Sequence, residues 1–132
     1  MAVTTETKEK IIDSVKKIMK QYAPPLVAKN KDGAIDCEWI GNIEAAYGHK
    51  KEMVPGMYFA STAVRKDSVV FYFFPTYMNV KEFIEVAPNT YKCLKGKTCF
   101  HFKKPEDVNE KELNAMMKKG IEYYKKQGWI KT

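Results

Sequence analysis

Two residues with reactive side chains lie near each other in the segment 98–103. Cys99 and His101 are two residues apart, in a stretch where apolar side chains alternate with other side chains, which is the period of a β-strand. On a strand, both side chains point to the same face of the sheet. An imidazole beside a thiol can activate that thiol as a nucleophile. The same pair can supply two ligands to a metal ion, with a further ligand from Cys37 or Cys93.

The rest of the sequence favours neither chemistry. Side chains two residues apart on a strand start about 7 Å apart, and no acidic residue is placed to orient the imidazole of His101. Zinc sites usually show paired ligands at close spacing, which the three cysteines of this chain lack. A buried cysteine is usually an inert apolar side chain. The sequence therefore favours a protein that is not an enzyme, and it leaves an unfamiliar active site open.

Other familiar sites are missing from the sequence. It has no glycine-rich phosphate loop, no serine nucleophile elbow and no His-Glu-x-x-His helix. The acidic residues have structural explanations, because Asp36 and Glu38 alternate along a strand and those in 106–112 suit the positive end of a helix. His49 lies in a polar, turn-like stretch and receives no role.

The composition is that of one globular domain spanning residues 1–132. Apolar residues make up 45% of the chain and charged residues 30%, which argues against the disordered and fibrous classes. No apolar run approaches the roughly 18 to 20 residues that cross a bilayer. The odd set of three cysteines fits a reducing compartment, so we expect a cytoplasmic protein. The net charge of +7 is spread along the chain beside acids, which indicates a solvated basic surface.

The first predicted helix begins near the start of the chain. Thr4 or Thr5 can cap its first turn, and Pro24 and Pro25 end it because proline has no backbone N–H to donate. Its apolar residues follow the spacing of one helix face: Ile11, Ile12, Val15, Ile18, Met19 and Tyr22. Such a face needs a sheet or other helices to cover it.

Two further helices are predicted to begin with a capping box. In this pattern an Asn side chain accepts a helix N–H, and a Glu three residues later reaches back to the Asn backbone. Asn79 and Glu82 start a short helix. Asn109 and Glu112 start a longer one that ends at Gly128, after which the chain can fold back onto the last helical turn.

Five stretches between these helices are predicted to be strands: 35–39, 43–47, 57–64, 68–74 and 98–103. Apolar and polar residues alternate in 35–39 and 98–103, whereas 57–64 and 68–74 are rich in aromatic and β-branched residues. A tight turn at Gly41 and Asn42 would return 43–47 as a second strand after 35–39. The short polar segment 65–67 joins 57–64 and 68–74 as a hairpin. Because residues 69–74 are apolar on both faces, we expect this strand inside the sheet, with helices on one side and further cover on the other.

Three stretches of this region carry a family resemblance: Met57-Tyr58-Phe59-Ala60-Ser61, Val69 to Pro75 followed by Tyr77-Met78, and Gly96-Lys97-Thr98-Cys99-Phe100-His101-Phe102-Lys103. In this order they resemble the YdhG-like family of domains of unknown function, and with the segment from Ile35 the resemblance covers about three quarters of the chain. It implies an α+β fold, a two-layer α/β sandwich. Its antiparallel sheet of about five strands carries the N- and C-terminal helices on one face, which agrees with the predicted elements.

The resemblance also implies one activity. A branch of the family is described as frataxin-like, an iron chaperone for iron–sulfur cluster assembly, and frataxins bind iron weakly through acidic residues on the first helix and the adjacent strand. Here Glu6, Glu9 and Asp13 stand among five lysines, which departs from that pattern. A frataxin-like iron-binding chaperone is therefore an alternative function.

A two-layer sandwich leaves one face of its sheet without helices. The residues that can line this open face are Tyr58, Tyr72, Tyr77, Lys97, Cys99 and His101. We predict a non-enzymatic binding or accessory domain that contacts a small ligand or a protein partner there, with no cofactor assigned. A second copy of the chain can also cover such a face, as a homodimer.

Single-stranded nucleic acid is the third partner that the sequence supports. Sheet-based binders stack bases on exposed aromatic side chains and hold the backbone with cations. In this chain the strand aromatics are flanked by Arg65, Lys66, Lys97 and Lys103.

Overall fold

The computed structural model describes residues 4–23, 26–30, 37–47, 52–54, 56–66, 68–77, 79–96 and 98–130. Within them the chain forms three α-helices: α1 (Thr5–Lys20), α2 (Val80–Val86) and α3 (Glu110–Gln127). It also forms eight strands: β1 (Val27–Asn30), β2 (Cys37–Ile40), β3 (Ala45–Tyr47), β4 (Glu52–Val54), β5 (Tyr58–Val64), β6 (Val69–Phe73), β7 (Leu94–Lys95) and β8 (Cys99–Phe102). No helix in this part of the chain is long and apolar enough to span a bilayer.

Local sequence signals explain where the helices begin and end. The side chains of Thr4, Asn79 and Asn109 cap α1, α2 and α3, each by accepting a hydrogen bond from the backbone N–H three residues later. Gly128 ends α3 in the left-handed region, with φ +79°, which strains any residue that has a Cβ. Trp129 then folds back and packs edge-on against Tyr124, with ring centroids 5.0 Å apart. These predictions are confirmed, whereas the prolines expected to end α1 lie outside the described residues.

One half of each predicted capping box is wrong. The carboxylate of Glu82 does not return to Asn79, because it accepts a hydrogen bond from Tyr123 and lies 3.6 Å from the Lys119 ammonium. The carboxylate of Glu112 likewise points away from its own helix start. In both cases a tertiary partner replaces the local one.

Six of the eight strands form one antiparallel sheet, in the order β1-β2-β5-β6-β8-β7. The predicted hairpin of β5 and β6 is confirmed, and β6 lies inside the sheet between β5 and β8. The sheet has one strand more than the roughly five that the sequence predicts, because short edge strands β1 and β7 join it while the predicted strand 43–47 does not.

The predicted turn at Gly41 and Asn42 does not send the chain back against β2. Gly41 N–H donates to the carbonyl oxygen of Met57, at 2.8 Å, so the chain continues alongside the start of β5. A Cβ on Gly56 would lie 2.1 Å from the Gly41 carbonyl oxygen, which requires glycine where the two backbones meet. The segment 45–47 is a strand as predicted, but β3 pairs with β4 in a separate two-stranded sheet.

The hydrophobic core lies between the large sheet and the helices at the two ends of the chain. Phe73 of β6 packs edge-on against Phe83 of α2, with ring centroids 5.4 Å apart, and Phe59 of β5 packs against Tyr124 of α3 at 4.9 Å. The Tyr22 hydroxyl just after α1 donates to the Asn114 side chain of α3, at 2.6 Å. The N- and C-terminal helices therefore cover one face of the sheet, as predicted.

Candidate ligand-binding face

The sheet face opposite the helices is called the open face, and its side chains follow from the strand register. Residues paired directly across an antiparallel ladder point to the same side. One row crosses all six strands of the sheet and consists of Lys29, Glu38, Ser61, Tyr72, Cys99 and Lys95. The next row consists of Ala63, Val70 and His101. The structure therefore brings Tyr72, Cys99 and His101 together on one face, as predicted.

A bulge in β5 brings Tyr58 to the same face. Trp39 pairs with Ala60 and Ile40 pairs with Tyr58, so Phe59 has no partner on β2. The extra residue shifts the alternation, and Phe59 turns into the core while the Tyr58 hydroxyl lies 2.5 Å from the Ser61 hydroxyl. Burial raises the pKa of Tyr58 to about 12, with a further increase from Glu38, while the Ser61 hydrogen bond acts against it. Tyr58 is therefore protonated at neutral pH.

Tyr77 reaches the open face through a line of rings. Tyr58 and Phe74 pack edge to face, with centroids 6.0 Å apart, and Phe74 and Tyr77 do so at 5.3 Å. Tyr77 is 57% exposed, so one face of this aromatic group is available to another molecule. We call Tyr58, Phe74 and Tyr77 the aromatic end of the open face.

Hydrogen bonds hold two further side chains of the open face in place. The Arg65 guanidinium donates to the Tyr72 hydroxyl at 2.9 Å, and the Ser68 hydroxyl lies 3.3 Å from Nδ1 of His101. Arg65 and Ser68 are also paired through the backbone of the hairpin turn, at 2.9 Å. The β5–β6 turn therefore positions the polar groups of Tyr72 and His101 together.

The electrostatic surroundings of His101 are positive. Burial lowers its pKa below the usual value, and Lys95, Lys103 and Arg65 lower it further because each disfavours a second positive charge nearby. The imidazole is therefore neutral at neutral pH. We call Arg65, Lys95 and Lys103, with His101 among them, the cationic corner.

This arrangement does not make Cys99 an activated nucleophile. The side-chain partner of His101 is the Ser68 hydroxyl rather than a carboxylate, and the hydroxyl nearest the Cys99 thiol is that of Thr98, at 4.0 Å. Ser68 itself is only 4% exposed, so its hydroxyl is not accessible to a substrate. The open face is equipped with hydrogen-bonding groups, cations and rings, which are the means of binding.

The metal site with Cys37 is wrong, because Cys37 lies on the other side of the sheet. It pairs with Thr62 in the row that contains Phe71 and Phe100, and it is 3% exposed. Burial raises the pKa of the Cys93 thiol, which disfavours the thiolate that a metal needs. Among the described residues, no group of three or more His, Cys, Asp or Glu side chains could hold a metal ion.

A groove lies on the helix side of the sheet, between α1 and strands β1 and β2. This groove has a volume of about 660 Å³ and is lined by Asp13, Lys16, Lys17, Lys20, Ala28, Cys37 and Trp39. It contains none of the predicted open-face residues. Lysines therefore surround Asp13, one of the acidic residues that an iron site on α1 would use.

The sequence predicts Tyr58, Tyr72, Tyr77, Cys99 and His101 for the open face but misses other members. Ser61, Ser68 and Lys95 are not predicted for it, and Arg65 and Lys103 are predicted only for a nucleic-acid contact. Their positions follow from cross-strand pairing and the hairpin turn, which a residue pattern does not reveal. Lys97, which was predicted for this face, lies outside the described residues.

Comparison with known proteins does not extend this description. No family model, no curated protein and no solved structure matches the chain. The resemblance to the YdhG-like family therefore remains a prediction from the three sequence stretches.

Proposed function

We propose that this protein is a non-enzymatic binding domain whose open face takes up a small ligand. The observation that carries the proposal is the row through Ser61, Tyr72 and Cys99, with His101 in the next row, on a sheet face that the helices leave uncovered. Tyr72, Cys99 and His101 are half-buried. The exposed part of each side chain can contact a ligand, and the buried part is held by the sheet. Ligand sites typically combine a few convergent polar groups with an apolar lining.

Pre-organisation supports the same proposal. The hydroxyls of Tyr58 and Tyr72 and the imidazole of His101 each have a side-chain partner, at 2.5, 2.9 and 3.3 Å respectively. Groups that are already ordered lose less conformational entropy when a ligand binds. Ala63 and Val70 in the next row are 0% and 1% exposed, so a ligand would contact the polar groups and not these two residues. The face can therefore bind a ligand without rearranging.

A thermal-melt screen tests the proposal. The pure protein is heated with nucleotides, other metabolites, short oligonucleotides, zinc and ferrous iron in separate samples. A ligand at a hundredfold excess over its Kd stabilises the folded state by about 2.7 kcal/mol, which is a Tm increase of several degrees for a domain of this size. We expect at least one class of small molecule to give such a shift.

Matched variants locate the binding site. Tyr72→Ala removes a half-buried tyrosine from the open face, and Tyr123→Ala removes a half-buried tyrosine from α3, away from that face. Each ligand-induced shift is measured against the Tm of the same variant without ligand. We expect Tyr72→Ala to lose the shift and Tyr123→Ala to keep it. Equal shifts in both variants, or no shift with any class, contradict the proposal.

The iron-chaperone alternative, which rests on the family resemblance, has its own outcome. Glu6, on the first helix, already faces Lys10 at 3.8 Å, so this helix is not a purely acidic surface. Stabilisation by ferrous iron that disappears in a variant lacking Glu6, Glu9 and Asp13 would support iron binding instead. Sedimentation of the wild type tests whether a second copy of the chain is the partner.

A further inference from the structure

The open face has two chemically different ends, and their order indicates the shape of a ligand. The cationic corner lies beside the β5–β6 turn and the edge strand β7, while the aromatic end lies at the opposite end of β5 and β6. Tyr72 lies between them, with its hydroxyl bound to Arg65. The shape of this ligand rests on the proposed function, because the ligand is the one that binds the same face.

The register places two lysines on either side of His101. Lys95 is directly opposite Cys99, which precedes His101 by two residues, and Lys103 follows His101 by two residues. Arg65 reaches the row of Cys99 through its bond to Tyr72. All three positive charges act on the neutral imidazole of His101, which can add a neutral hydrogen bond to an anion.

No carboxylate neutralises this corner in the described part of the chain. Neither ion pair found there involves Arg65, Lys95 or Lys103. The Asp107 carboxylate accepts the backbone N–H groups of Lys103 and Lys104, but its charge acts on Cys93, and the charges that shift the pKa of His101 are those of Lys95, Lys103 and Arg65 alone. Glu38, at the other side of the row, is directly opposite Lys29. The corner is therefore a place where an anionic group gains attraction.

We propose that the cationic corner binds the phosphate group of a nucleotide-type ligand. The planar ring of this ligand stacks on Tyr72, which lies between the cationic corner and the aromatic end. Arginine and lysine are the usual phosphate-binding side chains. Exposed aromatic rings stack on nucleic-acid bases of any sequence. Along β6, residues two apart are separated by about 7 Å, so the step from Tyr72 to the row of His101 suits a ring joined to a phosphate through a sugar.

The experiment compares four probes by isothermal titration calorimetry: ATP, adenosine, inorganic phosphate and a short oligothymidylate. The test variant is Lys95→Gln with Lys103→Gln. The control is Lys111→Gln with Lys118→Gln. These two lysines of α3 are exposed, and replacing them lowers the net charge by the same amount. We expect ATP to bind more tightly than adenosine or phosphate, and the test variant to weaken ATP binding by about tenfold. The control variant should bind ATP as the wild type does.

The other outcomes are also decisive. Equal weakening in both variants means that net charge alone attracts the ligand, which overturns the inference. Adenosine binding as tightly as ATP, with loss in Tyr72→Ala, overturns the phosphate contact but leaves the proposed function intact. Phosphate binding as tightly as ATP overturns the ring contact.

Binding of oligothymidylate but not of ATP, with the expected loss in the test variant, supports the same chemistry with single-stranded nucleic acid as its source. If none of the four probes binds but another ligand in the thermal-melt screen loses its Tm shift in Tyr72→Ala, the nucleotide inference fails and the proposed function stands. If no ligand loses its shift in Tyr72→Ala, the inference and the proposed function both fail.

Discussion

The Glu112 carboxylate lies buried near the start of α3, where it holds the loop that follows α2. It accepts hydrogen bonds from the Thr90 backbone N–H at 2.7 Å, the Thr90 hydroxyl at 2.9 Å and the Asn89 side-chain amide at 2.8 Å. Burial by itself raises the pKa of Glu112, but the bonds to Thr90 and Asn89 outweigh it and the pKa lies below its usual value. The residue is therefore a charged tertiary contact at neutral pH.

We expect Glu112→Gln to lower the free energy of unfolding by on the order of 3 kcal/mol and the Tm by roughly 10 °C, because an amide offers only one acceptor atom to these donors. Glu110→Gln is the control, since it removes an exposed carboxylate from the same helical turn.

Because the pKa of Glu112 in the folded protein is lowered, its contribution to the free energy of unfolding is present above about pH 4. This contribution is lost as pH falls through the folded pKa. Urea unfolding at a series of pH values measures both effects. Equal losses in the two variants would mean that only the helix dipole is involved.

His101 is expected to make stability depend on pH in a different window. Its folded pKa is lowered by burial, Lys95, Lys103 and Arg65, so the unfolded chain binds more protons as pH falls below about 6.5. The unfolding free energy should therefore decrease from pH 7 to pH 5, and His101→Gln should flatten this decrease. An NMR titration, with the His101 resonance assigned from the variant, gives the pKa directly. A value above 6.5 without ligand would contradict the positive surroundings, whereas a bound anion should raise it.

Among the secondary-structure elements, α3 packs at Gly120 directly against Phe59, Phe73 and Pro75. A Cβ built there would lie 3.0 Å from the Phe59 ring, 3.1 Å from Pro75 and 3.2 Å from the Phe73 ring. These neighbours are buried and two of them are rings of the core. The absence of a side chain therefore sets the distance between this helix and the sheet.

We expect Gly120→Ala to destabilise the protein by up to about 2 kcal/mol. The gain in helix propensity is close to 1 kcal/mol, but inserting a methyl group into a packed core costs about 1–3 kcal/mol. Lys118→Ala, at an exposed position of the same helix, should change stability by less than about 0.5 kcal/mol. Thermal and urea unfolding provide the measurement. A Gly120→Ala variant that is more stable than the wild type would show that the Phe59 and Phe73 rings move aside.

For the whole molecule, the sheet order predicts where local unfolding is rarest. β6 is paired on both edges, and its Phe71 and Phe73 side chains are fully buried, whereas β1 and β7 are the edge strands. We expect the amides of β5, β6 and β8 to exchange with deuterium most slowly, at the rate of global unfolding, and those of β1 to exchange faster. Hydrogen exchange measured by NMR tests this order. Exchange from β6 as fast as from β1 would contradict the central position of β6.

The sequence by itself determined the features that depend on near neighbours. Asn79, Asn109 and Gly128 mark helix ends because their partners lie within a few residues, and the hairpin of β5 and β6 follows from a short polar turn between two apolar strands. Cys99 and His101 share a face because the two-residue period of a strand requires it. The elements predicted by these local rules agree with the α+β fold that the family resemblance implies and that the structure has.

Strand partners and strand register depend on the tertiary structure. The pairing of β2 with β5, the bulge at Phe59 and the contact of Glu112 with Thr90 join residues far apart in sequence, and no local pattern encodes the choice among such partners. A one-residue shift in register changes the face of every side chain that follows it. For this reason the arrangement of Arg65, Lys95 and His101 on one face follows from the fold and not from their spacing in the sequence.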